Sequence, residues 1–149
     1  MGKLLNKIAV VTGGAKGIGS EVSRLFAKEG ATVIITDLNP KNGKKIIDEI
    51  NVKNKIFFFK MDVSIEKDWK RFIIYLKKNK LQDVSILVNN AGIYLGKDIL
   101  KVNQKEFNQM TSINLMGTFF GIKYLTALLK DTGEKTKKLS SIINLSSIA

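Results

Sequence analysis

The 149 residues suit one domain large enough to bury a substantial core, and 44% hydrophobic with 26% charged residues describes a soluble globular chain. Cysteine and histidine are absent, which excludes disulfides, thiolate or imidazole zinc sites, cysteine nucleophiles and a histidine general base. The net charge of +12 comes from lysines, Arg24 and Arg71 being the only arginines, so it reads as a solvated surface rather than a nucleic-acid interface, and its positive field favours an anionic cofactor.

No run of apolar residues approaches the length of a membrane span, and the amino terminus is too short in apolar residues for a signal peptide; the expectation is a cytoplasmic protein without a membrane partner. The first strand is predicted over the apolar run Ile8-Ala9-Val10-Val11. It leads into Thr12-Gly13-Gly14-Ala15-Lys16-Gly17-Ile18-Gly19 and then a helical pattern. A strand, a glycine turn and a helix in that order build the phosphate-binding corner of a doubly wound sheet. One glycine turns the chain, one lets backbone approach a pyrophosphate, and one lets helix and strand pack closely. The helix N-terminus offers unpaired N–H groups and about half a positive charge. By itself the stretch also fits a plain strand-to-helix turn.

Ile18, Val22, Leu25 and Phe26 are predicted to form the helix's buried stripe, with Gly30 as its stop. Ala31 to Thr36 reads as a strand buried on both faces. Asp37 ends it 18 positions beyond Gly19, where an acidic residue takes the adenosine ribose hydroxyls; the alternative is a turn former or cap. Asn39-Pro40 predicts a capped helix start, and Ile46, Ile47 and Ile50 its buried side. Ile56 to Phe59 is the third strand, ending at Asp62-Val63. Asp62 could accept from an adenine amino group and the Val63 N–H donate to the ring; a strand-ending aspartate ahead of a helix cap explains the pair equally well. Ser64 is expected to cap a helix with Glu66 and Asp68 in its first turn and Trp69, Phe72, Ile73 and Leu76 inward.

Val84 to Val88 is the fourth strand, running into Asn89-Asn90-Ala91-Gly92. Asn103 with Glu106 predicts a capping box opening one long helix through Phe107, Met110, Ile113, Phe119, Ile122 and Leu129, followed by a polar loop over Thr132 to Lys138. Ser141 to Leu145 is the fifth strand, just before Ser146-Ser147. Strands alternating with helices imply βαβ units. With right-handed crossovers the prediction is a Rossmann-type α/β fold: a doubly wound parallel sheet in order 3-2-1-4-5, helices on both faces, one domain over residues 1–149.

A carboxylate at Asp37 repels a 2′-phosphate by about 4 kcal/mol per like-charge pair at ~4 Å and an effective dielectric near ~20. Lys16 pulls the other way, and the repulsion decides for NAD over NADP.

The spacing Gly13-x-x-x-Gly17-x-Gly19 resembles the short-chain dehydrogenase/reductase family. So does the ordered set Asp37, Asp62-Val63, Asn89-Asn90-Ala91-Gly92, Asn114 with Gly117, and Asn144-Leu145-Ser146-Ser147. The wording of 84–93 and 141–148 is similar to bacterial NAD(P)-dependent secondary-alcohol dehydrogenases and ketoreductases, with hydroxysteroid dehydrogenases and 3-oxoacyl reductases near by. The resemblance implies reversible hydride transfer between nicotinamide and a small-molecule secondary alcohol or ketone. It implies cofactor contacts at Gly13, Lys16, Gly17, Ile18, Gly19, Asp37, Leu38, Asp62, Val63, Asn89, Ala91 and Gly92, and no metal. Asn114, an unfavourable residue inside a helix, becomes the catalytic asparagine that holds a water in the proton relay. Ser147 becomes the serine that hydrogen-bonds the substrate oxygen.

The family's acid/base is a tyrosine followed by lysine four residues on, about a dozen residues past that serine. None of Tyr75, Tyr94 and Tyr124 fits. The expectation is therefore an amino-terminal part of the family's domain, missing its last strands, inactive alone and, at full length, a dimer or tetramer. The alternative is a non-catalytic nucleotide-binding remnant or regulatory module.

Overall fold

The computed structural model describes residues 2–50 and 55–147; Ile148, at the end of the closing motif, lies outside them. Five parallel strands form one sheet: β1 (Ile8–Thr12), β2 (Thr32–Asp37), β3 (Ile56–Lys60), β4 (Val84–Asn89) and β5 (Ser141–Asn144), in the order β3-β2-β1-β4-β5. The predicted order holds. Apolar, β-branched runs suit central parallel strands because both faces are covered and every second residue must be apolar on each. Thus Ala9 and Val11 of β1 face one apolar layer with Val33, Ile35, Ile86 and Val88, while Val10 faces the other with Ile34 and Leu87.

The first layer is covered by α1 (Gly17–Lys28) and α2 (Pro40–Ile50), the second by α3 (Glu66–Lys78) and α5 (Gly117–Thr136). Asn39 caps α2, its Oδ1 accepting from Lys41 N at 2.9 Å. Trp69, Phe72 and Leu76 of α3 are wholly buried.

Several local expectations change. The buried face of α1 is Gly19, Ser20, Ser23 and Ala27, whereas Ile18 and Leu25 are 68% and 55% exposed. Small residues let α1 lie close on the sheet, and the Ser23 hydroxyl bonds the carbonyls of Gly14 (3.1 Å) and Gly19 (2.9 Å). Of the predicted stripe, Val22 and Phe26 do pack half-buried against the layer, and only Ile18 and Leu25 face away. Ser64 does not cap α3, whose first turn follows Ile65; its N–H and hydroxyl are taken by Asp62 Oδ1 at 2.9 and 2.6 Å.

The long helix after Asn103 is three segments: α4 (Gln104–Thr111), a π turn (Ser112–Met116) and α5. The capping box at Asn103 and Glu106 is present. The expected loop over Thr132 to Lys138 is largely helix, because Thr132 is a buried contact of α5 and Lys137, at φ 54°, supplies the left-handed stop.

The continuous helical stretch Gln104–Thr136 is, among the described residues, long and apolar enough to cross a membrane, with a mean hydropathy of 1.2 in its most apolar window. The expectation that no stretch approached that length counted unbroken apolar runs only. Here Gly117, Phe120, Gly121, Leu125 and Leu129 pack on the sheet, while Phe107, Leu115 and Phe119 face outward.

Candidate functional site

A cavity of about 490 Å³ opens where the glycine turn, the ends of β2 and β3, and the segment after β4 converge. This is the carboxyl rim of the sheet beside the point where strand order reverses, the usual ligand crevice of open parallel sheets. From the turn it is lined by Gly13, Lys16, Gly17 and Ile18. Gly13 and Gly17 have φ of 60° and 57°, the left-handed region that favours glycine. A Cβ at Gly17 would meet nothing within 4 Å, so bare backbone faces the cavity there. Gly19 serves another purpose: a Cβ would fall 2.3 Å from Gly13 O and 2.4 Å from Asn90 Nδ2. It packs beneath the turn and does not line the cavity.

No side chain caps α1 at Lys16, and no acidic residue stands in its first turn. The helix end thus presents its N–H groups and positive dipole to whatever fills the crevice. Bared backbone, an uncapped helix end and an acidic rim together fit a dinucleotide: donors for phosphates, then acceptors for ribose and adenine.

The ends of β2 and β3, with the start of α2, supply Asp37, Leu38, Asn42, Met61, Asp62 and Val63. The Asp37 carboxylate is already in use, Oδ2 accepting from Ala15 N (3.3 Å) and Oδ1 from Asn39 N (3.1 Å). Each oxygen keeps a lone pair for a hydroxyl donor. Asp62 Oδ1 is taken by Ser64, and Asp62 N donates to Asp68 Oδ2 at 3.0 Å. Val63 O accepts from Trp69 Nε1 at 2.8 Å. This wall is therefore held from α3.

The third wall is Asn90, Ala91, Gly92 and Ile93, with Ile113 behind. Asn89, expected to border the cofactor, does not reach the cavity. It is buried, donates from Nδ2 to Asn144 Oδ1 at 2.8 Å, and sits so close to α5 that a Cβ on Gly121 would lie 2.3 Å from its Oδ1. Its place at the rim is taken by Asn90. The Thr12 hydroxyl accepts from Asn90 N (3.0 Å) and Ala91 N (3.1 Å) and donates to Val88 O (3.3 Å), clasping β1 to β4. Sequence reasoning passed over Thr12, Asn42, Met61, Ile93 and Ile113, and left Asn90 out of the site. A hydroxyl residue at the end of one central strand, opposite paired asparagines at the end of another, was the available signal.

Asn114 lies in the π turn. Its amide pairs with Ile93 on both sides, Oδ1 accepting from Ile93 N (2.9 Å) and Nδ2 donating to Ile93 O (3.0 Å). The side chain thus holds the wall segment after Gly92. Ser147 follows β5 at the same rim.

The Tyr124 hydroxyl and Lys123 ammonium both bond Glu66 Oε1, at 2.7 and 2.8 Å, between α3 and α5. They hold the Glu66 carboxyl down to about 2, and the bond to Glu66 raises Tyr124. An acid/base tyrosine needs the opposite shift. Among the described residues no group of acidic side chains could hold a metal.

The family model described as short chain dehydrogenase matches residues 7–149. A 3-beta-hydroxysteroid dehydrogenase from Comamonas testosteroni is 35% identical over 147 residues, 99% of this chain and 54% of its own length. An NADP-dependent (R)-specific alcohol dehydrogenase from Lentilactobacillus kefiri is 35% identical, covering 98% of this chain and 56% of its own length. A solved structure described as a short-chain dehydrogenase from Novosphingobium aromaticivorans superposes with a TM-score of 0.87 at 23% identity, over 97% of this chain and 54% of that one. The chain spans about half the length of the curated relatives it matches.

Proposed function

This chain belongs to the short-chain dehydrogenases, and from that premise we propose that it forms the cofactor-binding part of an oxidoreductase moving hydride between NAD and a secondary alcohol or ketone. The observation that carries this reading is the crevice itself, lined by the bared Gly17 backbone and by the Asp37 carboxylate.

The first turn of α1 would hold the diphosphate, Asp37 the adenosine ribose, and Leu38, Asp62 and Val63 the adenine. Bound nicotinamide supplies the hydride chemistry, and the protein supplies position and proton handling. Ser147 would hold the substrate oxygen, and Asn114 would keep the wall at Ile93 in register while its π turn holds a water of the proton relay. NAD is preferred because a 2′-phosphate would face Asp37, although Lys16 lines the same cavity and one relative is NADP-dependent.

The buried Trp69, the chain's single tryptophan, bonds Val63 in the cavity wall and serves as a reporter. Excited at its absorption band, it should lose emission by energy transfer as NADH is added. The 149-residue chain should show no turnover with any alcohol or ketone, since it contains no Tyr-x-x-x-Lys. An emission that ignores NADH sinks the proposal. Turnover by this chain would mean that another group carries the proton.

A further inference from the structure

The turn that approaches the phosphates also carries carbonyl oxygens, each the negative end of a peptide dipole. A carbonyl aimed into the crevice would oppose an anion there, so the polarity of the turn depends on where those oxygens go. The Gly14 N–H donates to Thr36 O at 3.2 Å and the Ala15 N–H to Asp37. The carbonyls of Thr12 and Gly13 go elsewhere: both accept from the side-chain amide of Asn90, at 2.9 and 3.1 Å. Gly13 O points toward buried Gly19, where a Cβ would come within 2.3 Å of it. The Asn90 backbone is itself fixed by the Thr12 hydroxyl.

We infer that Asn90 is a positioning residue for the diphosphate: its amide takes the carbonyls of Thr12 and Gly13, so that neither oxygen opposes an anion in the crevice. The inference rests on the dinucleotide reading of the cavity. It assigns to Asn90 an electrostatic task in addition to the strand clasp, which its bond to Thr12 O shares with the Thr12 hydroxyl.

The two tasks separate in ligand selectivity. ADP-ribose carries the diphosphate and adenosine does not, and amide chemical-shift titration of the full 149-residue chain measures both affinities. Asn90→Ala should weaken ADP-ribose on the order of tenfold or more, because two released carbonyl dipoles would oppose the diphosphate, and leave adenosine within about twofold. Asn90→Asp, which keeps the side chain's size but sets oxygens against both carbonyls, should give the same selective loss if the alanine variant folds poorly. Thr12→Val removes the clasp but not the carbonyl capture, and should lower the melting temperature with both ligands weakened alike. Equal losses of ADP-ribose and adenosine in the Asn90 variants, or none, overturn the inference. A wild-type chain that takes up neither ligand overturns the dinucleotide reading, and the role of Asn90 with it.

Discussion

Asp37 holds the glycine turn and the start of α2 before any ligand arrives, because its two oxygens take the N–H groups of Ala15 and Asn39. Its substitution therefore removes the proposed ribose contact and loosens the turn together. Asp37→Ala should weaken NADH binding by about 1.5–3 kcal/mol, the range for a hydrogen bond to a charged group. Asp37→Asn retains one acceptor oxygen and should lose less; titration of Trp69 emission measures both. Unchanged affinity in the alanine variant would remove Asp37 from the site. Gly19 makes a second test of the turn. A methyl there would drive into Gly13 O and the Asn90 amide, so Gly19→Ala should destabilise the fold by about 1–3 kcal/mol, the usual cost of overpacking. Gly17→Ala meets open space and should pay only for its φ of 57°, about 1 kcal/mol. Urea unfolding of the two variants ranks them, and the reverse order would contradict the geometry.

Among the elements, α3 and α5 hold the cavity wall at Asp62 and Val63 from behind. A Cβ on Gly117 would lie 2.7 Å from Val63 Cγ2, and one on Gly121 would touch both Asn89 and Trp69. These glycines bring α5 close enough to bury Val63 and the indole. Trp69→Phe leaves the Val63 carbonyl without its partner and should cost about 1–3 kcal/mol in denaturant unfolding. A loss well below that range would mean that the indole N–H contributes little to the wall. The Glu66 tie between the same helices depends on pH. Its carboxyl sits at about 2 in the fold against an ordinary 4.5, chiefly because Lys123 and then Tyr124 bond the ionised form. A pKa lowered by folding adds stability that is present above the ordinary value and lost as pH falls from about 4.5 to about 2. Glu66→Gln should flatten the fall in melting temperature across that window. A slope identical to wild type would show the tie to be inert.

At the scale of the molecule, the two edges of the sheet differ in cover: β3 is mostly half-buried, whereas β5 is wholly exposed. All four residues of β5 are exposed, Ile142 and Ile143 among them, and the outward face of the α4–α5 stretch shows Phe107, Leu115 and Phe119. An unpaired strand edge and an apolar helix face both invite further chain. In the relatives this chain matches, about half the length lies outside the matched part. The 149-residue chain should accordingly associate as its concentration rises, and Ile143→Lys on the open edge should reduce that association in sedimentation velocity. Association unchanged by the lysine would place the contact on the helix face instead.

The strands, the glycine turn and the rim aspartates were legible in the amino-acid sequence because each rests on a local pattern: β-branched runs, spaced glycines, an acidic residue at a set distance. The caps at Asn39 and at Asn103 with Glu106 were legible for the same reason. Strand order followed from the rule of right-handed crossovers. Tertiary structure decided what depends on neighbours distant in sequence. Close approach of α1 to the sheet put Ser20 and Ser23 inside and left Ile18 and Leu25 out. Contact of α5 with Val63 and Asn89 made its glycines necessary, and pairing with Ile93 placed Asn114 in a π turn. Two adjacent asparagines look alike in a sequence. Side chains alternate across a strand and leave its end in different directions, so only the folded sheet could bury Asn89 against α5 and turn Asn90 to the glycine turn.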